Sequence, residues 1–356
     1  MIRAQGPQSF AWFMQQALYH LDHGYYSTGR CIIGRKGDYF TSVSVGPLFG
    51  KLLAAQFVEL WESLGRIDSF AIVEQGAYDG QFARDVLECS KKRAPEFFAA
   101  LQYRIVEPFP ILQERQQRSL EAFRGKVEWR ESLEPFTGVH FSNELLDSMP
   151  ARVMSDGREK FVGLDGDSFI FVERPIDAGR KSVESALAWI DEVAANLQRG
   201  YVVAIDYGRL SEGVQRDVQV RAQHRNLDSP FEQIGEADIT MPVDWTSIVH
   251  RAETNGLRVA GFTDQHHFLT GIISTWPDLL EARPSNSTAL SSQVQDARAE
   301  RKIKRALQTL LHPEMLGRVF QVLGLAKNAG SGAPRLAGFK FARDAWSLLG
   351  LKNPNQ

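Results

Sequence analysis

Apolar and polar positions follow two rhythms along this chain. Phe10, Phe13, Met14, Ala17 and Leu18 recur at helical spacing, with Ser9 placed to cap the first turn. A second amphipathic helix is predicted from Pro47 to Leu64. Short apolar runs then alternate with helical stretches. Strands are predicted at 69–74, 102–107, 126–129, 138–143 and 201–206, and helices near 80–90, 109–122 and 182–198. Such alternation predicts an α/β fold on a mostly parallel sheet covered on both faces. Residues 151–173 alternate apolar and polar around Gly163-Leu164-Asp165-Gly166, the pattern of an inserted hairpin. After Asp206-Tyr207-Gly208 a long polar loop runs to about residue 241. A helix near 243–255, a strand near 257–263, a linker at 284–292, a charged helix over 294–311 and a last strand at 318–325 complete the pattern.

The turn after the first predicted strand carries the chemistry. Phe70-Ala71-Ile72-Val73 runs into Glu74-Gln75-Gly76-Ala77-Tyr78-Asp79-Gly80, and a helix-forming stretch starts at Gln81. A buried strand, a glycine turn and a helix start bring backbone close to a nucleotide-like ligand. Glu107 ends the next strand, where an acid accepts hydrogen bonds from both ribose hydroxyls. A dinucleotide fingerprint starting at Gly76 needs glycines at 78 and 81, and the chain has Tyr78 and Gln81. Asp79 sits in the positive field of the helix start, where a phosphate would meet a carboxylate. The turn therefore favours S-adenosylmethionine over NAD. The alternative is a turn that serves packing alone, with Glu74 capping the next helix.

Composition narrows the class. Apolar residues make up 43% and charged residues 24% of the 356, as in a soluble globular protein. A net charge of −2 and a pI near 6.5 argue against a general nucleic-acid binder. Cys31 and Cys89 are too few for a disulfide framework and fit a reducing compartment. No apolar run reaches the roughly 18 residues of a membrane span, and the first residues show no signal-peptide core. A cytoplasmic location is the expectation. Arg301-Lys302-Ile303-Lys304-Arg305 is a basic cluster, read as a solvated helix face with a partner surface as the alternative.

Many segments together resemble the MidA-type S-adenosylmethionine-dependent methyltransferases, bacterial relatives of a mitochondrial arginine methyltransferase that assists assembly of respiratory complex I. The resemblance runs through Gly6-Pro7, Gly24-Tyr25-Tyr26-Ser27, Gly37-Asp38-Tyr39-Phe40-Thr41-Ser42 and Gly46-Pro47-Leu48-Phe49-Gly50. It continues through Glu74-x-Gly76-x-x-x-Gly80, Ile105-Val106-Glu107, Ser142-Asn143-Glu144-Leu145-Leu146-Asp147, Asp206-Tyr207-Gly208 and Val243-Asp244-Trp245. It implies a class I methyltransferase sheet, Rossmann-like, with an N-terminal helical segment, the hairpin insertion and helical C-terminal insertions. On this reading, residues 1–50 hold N-terminal helices and a lid loop, 51–210 the cofactor-binding core, and 211–356 the substrate side, in one extended domain. Two departures stand out. The family usually has glycine at the position of Tyr78, and Ser-Pro-Glu where this chain reads Ser42-Val43-Ser44. A left-handed tyrosine costs roughly 1–2 kcal/mol, and its ring would crowd or stack on whatever lies in the turn.

The resemblance implies S-adenosylmethionine as cofactor and a protein substrate, methylated at arginine. A respiratory-complex subunit is one candidate partner, and a homodimer is left open. For the cofactor, Glu74 is expected to take the ammonium, Gly76 and Gly80 to allow close backbone approach, and Glu107 to hold the ribose. Tyr78 and Asp79 flank the ligand, with Asp79 alternatively only a helix cap. Thr41 belongs to a polar, glycine-led segment that reads as a lid or as an ordinary surface loop. For the substrate, Glu144 is the first candidate to clamp a guanidinium and Asp147 the second, three residues on along a helical turn. Asn143 is expected to orient cofactor or substrate. Full deprotonation of a guanidinium at neutral pH costs roughly 8 kcal/mol, so aimed carboxylates are the practical means. The alternative function is a catalytically weak methyltransferase-like assembly or binding protein.

Overall fold

The computed structural model describes residues 1–31, 33, 34, 37, 40–176, 185–209, 218–281, 290–330 and 335–351. A single helical turn at Ile2–Gln5, then α1 (Phe10–Tyr19) and α2 (Leu48–Ser63), precede the central sheet. The Ser9 hydroxyl accepts from the Trp12 amide and starts α1. The first half of the core alternates β1 (Phe70–Gln75), α3 (Gln81–Arg93), β2 (Leu101–Val106), α4 (Pro110–Ser119), β3 (Val127–Arg130) and β4 (Phe136–Asn143). A hairpin, β5 (Arg158–Asp165) and β6 (Ser168–Pro175), turns at Gly166. Next come α5 (Ser185–Asn196) and the long β7 (Leu197–Arg209). The second half holds β8 (Gln219–Ala222), β9 (Asp238–Thr240), α6 (Trp245–Thr254), β10 (Arg258–Asp264), α7 (Gln265–Thr275), α8 (Leu290–Leu311) and β11 (Phe320–Lys327).

The central sheet runs β10-β11-β7-β4-β1-β2-β3, with Val243–Asp244 pairing β7. β3, β2, β1, β4 and β7 are mutually parallel, and only β11 runs against its neighbours. The strand order reverses between β1 and β4, which is where open α/β sheets hold ligands beyond their strand ends. Register brings those ends together. Gln75 pairs with Val106 on one side and Ser142 on the other, so Glu107 and Asn143 both start from the same edge as Gly76.

One apolar layer packs α2, α3 and α7 on one face through Phe57, Phe82, Phe141 and Phe268. Trp189, Ile190, Trp245 and Ile248 of α5 and α6 cover the other. A third core joins α1 to β5, β8 and β9 through Phe10, Met14, Val162, Val220 and Ile239. That third core corrects one sequence expectation. The polar stretch after Asp206 contains β8 and β9, paired antiparallel, rather than a continuous loop. Each strand is short, and its apolar residues are buried by α1, a helix more than two hundred residues away in sequence. Most of the 284–292 linker and the start of the helix expected at 182 lie outside the described residues.

Candidate functional site

A cavity of about 600 Å³ opens beyond the ends of β1, β2 and β4. It lies between the turn after β1, the residues after Glu107 and α1 of the N-terminal segment. Glu74, Gly76, Tyr78, Asp79, Glu107, Thr41, Asn143 and Glu144 all line it. Gly80 and Asp147 do not.

The turn takes its shape from three left-handed residues. Gly76, Tyr78 and Gly80 have φ of 80, 47 and 76°. A side chain at Gly76 would press on Leu145, which also lines the cavity. At Gly80 a Cβ would meet Leu120 at 3.1 Å. Gly80 therefore serves the packing of α3 against the end of α4, which corrects its expected place against the cofactor. Asp79 Oδ1 accepts from the Gln81 amide at 3.0 Å and caps α3, while Asp79 also faces the cavity.

Glu107 is nearly fully buried and is held from two sides. Phe109 N donates to Oε1 at 3.1 Å and Gln116 Nε2 to Oε2 at 3.0 Å. Gln116 spends its second amide hydrogen on the Tyr78 carbonyl at 3.2 Å and accepts from the Trp129 indole at 3.0 Å. One buried glutamine thus fixes the acid after β2 and the turn after β1 together. Burial pushes the Glu107 carboxyl up to about 7, against the pull of these donors. Glu74 accepts from the Tyr103 hydroxyl at 2.6 Å, and burial pushes it to about 8.

Glu144 leaves β4 with φ 55°, a strained conformation for glutamate. Its Oε1 accepts from Asn143 Nδ2 at 2.9 Å and from the Ser42 amide at 3.3 Å. Burial first, then the nearby Asp206 charge, pushes its carboxyl to about 8. The Asn143 side-chain oxygen is buried and has no hydrogen-bond partner. Buried polar groups are rarely left so, and this oxygen lies beneath the cavity surface rather than on it.

The left-handed step at Glu144 also redirects the chain beyond it. A helical progression would set Asp147 beside Glu144. Instead Asp147 is buried out of the cavity wall, and its carboxyl is raised by burial and by the charges of Asp206, Asp238 and Glu144. Asp206 explains the bend. Its Oδ2 accepts from the amides of Leu145, Leu146 and Asp147 at 3.0, 2.8 and 3.3 Å. Asp147 is therefore corrected from a substrate clamp to a buried neighbour of the turn.

Other lining residues carry no clear signal in the sequence. Tyr19 and Tyr26 stack at 5.6 Å, and Tyr19 stacks on Phe109 at 6.3 Å, forming an aromatic wall. Glu131, Ser132, Ser148, Met149 and Glu192 complete the rim. Glu131 follows β3 at the same sheet edge, so strand-end position is the one signal that could have found it. Tyr26 stands in the Gly24-Tyr25-Tyr26-Ser27 segment of the resemblance, but no local pattern puts it or Tyr19 at the cavity, because only tertiary packing brings them there. Asp38 and Tyr39 of the expected lid lie outside the described residues.

The charge pattern of the wall is one-sided. Glu74, Asp79, Glu107, Glu131, Glu144 and Glu192 line it, and no Lys, Arg or His does among the described residues. Such a wall repels a pyrophosphate and suits a ligand with hydroxyl and ammonium donors and a positive sulfur. The expectation that the Tyr78 ring would crowd the turn is also answered. Its hydroxyl reaches away to the backbone of Cys31 and Ile33, and the cavity stays large enough for a nucleoside.

Sheet order, cavity position and an acid after β2 define a class I methyltransferase. The chain belongs to the S-adenosyl-L-methionine-dependent methyltransferase family designated Methyltransf_28, whose profile matches residues 52–263. It is similar to the Drosophila melanogaster protein arginine methyltransferase NDUFAF7 homolog, mitochondrial, with 27% identity over 75% of this chain and 72% of that one. The Homo sapiens protein arginine methyltransferase NDUFAF7, mitochondrial, is 24% identical over 97% of this chain and 84% of its own. A solved structure from Burkholderia thailandensis, bound to S-adenosyl-homocysteine, superposes with a TM-score of 0.82 at 27% identity, covering 96% of this chain and 93% of that chain. The protein is an S-adenosylmethionine-dependent methyltransferase.

Proposed function

We propose that the enzyme methylates arginine side chains of a protein, with Glu144 receiving the guanidinium and Asn143 orienting Glu144. The observation that carries this reading is the cavity wall of six carboxylates without a facing cation among the described residues. The relatives named as protein arginine methyltransferases support it. When bound, S-adenosylmethionine supplies an electrophilic methyl group on a positively charged sulfur.

Glu107 would hold the ribose hydroxyls, Glu74 the amino-acid end, and Gly76 and Asp79 the approach along the turn, with Thr41 and Tyr78 closing the sides. Gln116 keeps Glu107 in place by its amide. On the substrate side, Glu144 accepts from Asn143 and Ser42 through Oε1, which leaves Oε2 for the substrate, and Asn143 orients the carboxylate. A planar guanidinium donates to the Glu144 carboxylate and brings the positive charge that the raised Glu144 carboxyl needs to ionise. The ionised carboxylate then turns one nitrogen toward the methyl donor and draws its proton as that nitrogen is alkylated. Holding the groups in line is where most of the acceleration comes from, about 7–11 kcal/mol in favourable cases. Tyr19, Tyr26 and Phe109 provide flat faces against which the guanidinium stem can lie.

A cytoplasmic location is part of the proposal, supported by the two buried cysteines, Cys31 and Cys89, which form no disulfide; cell fractionation tests it. The function itself is tested by incubating the enzyme with labelled S-adenosylmethionine and cell extract, then sequencing the labelled peptides. Label on arginine is expected, and label on lysine, glutamine or small molecules would overturn the arginine assignment.

A further inference from the structure

Tyr78 is strained, yet its side chain is tied at two points. The hydroxyl donates to the Cys31 carbonyl at 3.2 Å and accepts from the Ile33 amide at 3.3 Å. The backbone at Tyr78 is left-handed, a conformation a glycine would take freely. Local strain of this kind persists where surrounding contacts hold it and clusters at functional sites. Here the turn is held from within by the Gln116 amide on the Tyr78 carbonyl. The ring, half-buried, packs toward the N-terminal core, and so does Ile33.

Ile33 is itself a wall of the cofactor cavity. That wall comes from the N-terminal segment rather than from the central sheet. Two side chains fasten it to the cofactor half of the molecule. Arg115 of α4 donates to the Gly29 carbonyl from outside the cavity. Tyr78 grips Cys31 and Ile33 from inside the turn that the cofactor lies against.

We propose that Tyr78 is a positioning residue for cofactor retention: its hydroxyl fastens the backbone of Cys31 and Ile33 across the cofactor turn, so that Ile33 closes one side of the cavity and slows release of the bound nucleoside. The proposal rests on the cofactor assignment. It explains why a bulky residue occupies a position where the backbone favours glycine. It also makes a distinct claim about rates, because a wall fastened by two hydrogen bonds acts on dissociation more than on encounter.

The test is release of S-adenosylhomocysteine, followed by stopped-flow fluorescence of the full-length protein with calorimetry for affinity. Three variants separate the explanations. Tyr78→Phe keeps the ring and removes both bonds. Arg115→Ala loosens the same segment without touching the cavity. Tyr78→Gly removes ring and strain together. Release is expected to quicken about tenfold in Tyr78→Phe, the effect of about one net hydrogen bond, and by a smaller factor in Arg115→Ala, with association rates near wild type. Tyr78→Gly is expected to bind more weakly than wild type. Unchanged release in Tyr78→Phe, or tighter binding in Tyr78→Gly, would overturn the proposal and make the tyrosine an obstruction or a bystander. Quickened release in Tyr78→Phe with none in Arg115→Ala would also overturn it, since the effect would then not pass through the segment. A wild-type protein that shows no binding would instead defeat the cofactor assignment beneath it.

Discussion

Glu107 is buried and Glu144 half-buried, and both carboxyls are raised, yet their donors assign them different work. Glu107 is braced on both oxygens by Phe109 and Gln116, so it is an acceptor already aimed. Glu144 is braced through Oε1, by Ser42 and Asn143. Replacing Glu107 with alanine should weaken S-adenosylhomocysteine binding by roughly 1.5–3 kcal/mol for each hydroxyl bond lost to a charged acceptor, measured by calorimetry. Unchanged affinity would remove Glu107 from the site. Gln116→Leu should weaken the same binding, by a smaller amount, because Glu107 and the Tyr78 carbonyl lose one shared donor; affinity equal to wild type would show that the brace is dispensable.

Elements are legible in the sequence where the signal is local. β1, its turn and Glu107 follow from an apolar run, glycines and an acid at a strand end, and the structure puts them at one sheet edge. Residues set by distant partners are not legible. Helical spacing places Asp147 on a face with Glu144, but three amides gathered by Asp206, sixty residues on, bend the chain instead. β8 and β9 stay hidden because their few apolar residues meet α1 only after folding. Tyr19, Tyr26 and Gln116 are ordinary helix and loop residues in sequence and gain their roles from tertiary contact. The bend itself can be tested. Asp206→Ala should destabilise the protein by about 1–3 kcal/mol for each amide left unpaired, whereas Asp206→Asn should lose less, since its oxygen still accepts from the amides of residues 145–147 and only the Tyr207 amide, which donates to Oδ1 at 2.8 Å, loses its acceptor. Urea unfolding of both variants decides this, and equal loss in the two would mean that charge, rather than acceptance, holds the turn.

For the molecule as a whole, the gathered acids link folding, cofactor and pH. Glu74, Glu107, Glu144 and Asp206 have carboxyls pushed to between about 7 and 8, chiefly by burial. The folded cofactor-free protein therefore holds more protons than the unfolded chain between the ordinary carboxylate range and about pH 8. Its stability should fall as pH rises through that window. A ligand that donates hydrogen bonds or positive charge favours the ionised carboxyls, so binding should release protons and tighten with rising pH. Melting curves from pH 5.5 to 8, with and without S-adenosylhomocysteine, should converge at the acid end and separate at the alkaline end. A separation that is constant across the range would show that these carboxyls do not face the ligand.

The reading depends most on Glu144 receiving a cationic substrate in a cavity whose cofactor is held elsewhere. The direct measurement is methyl transfer to an arginine peptide by Glu144→Gln, alongside its affinity for S-adenosylhomocysteine. Transfer should be lost while affinity stays within about twofold of wild type, a difference under about 0.5 kcal/mol. Transfer at the wild-type rate would contradict the proposed role and return Glu144 to a purely structural place at the end of its strand.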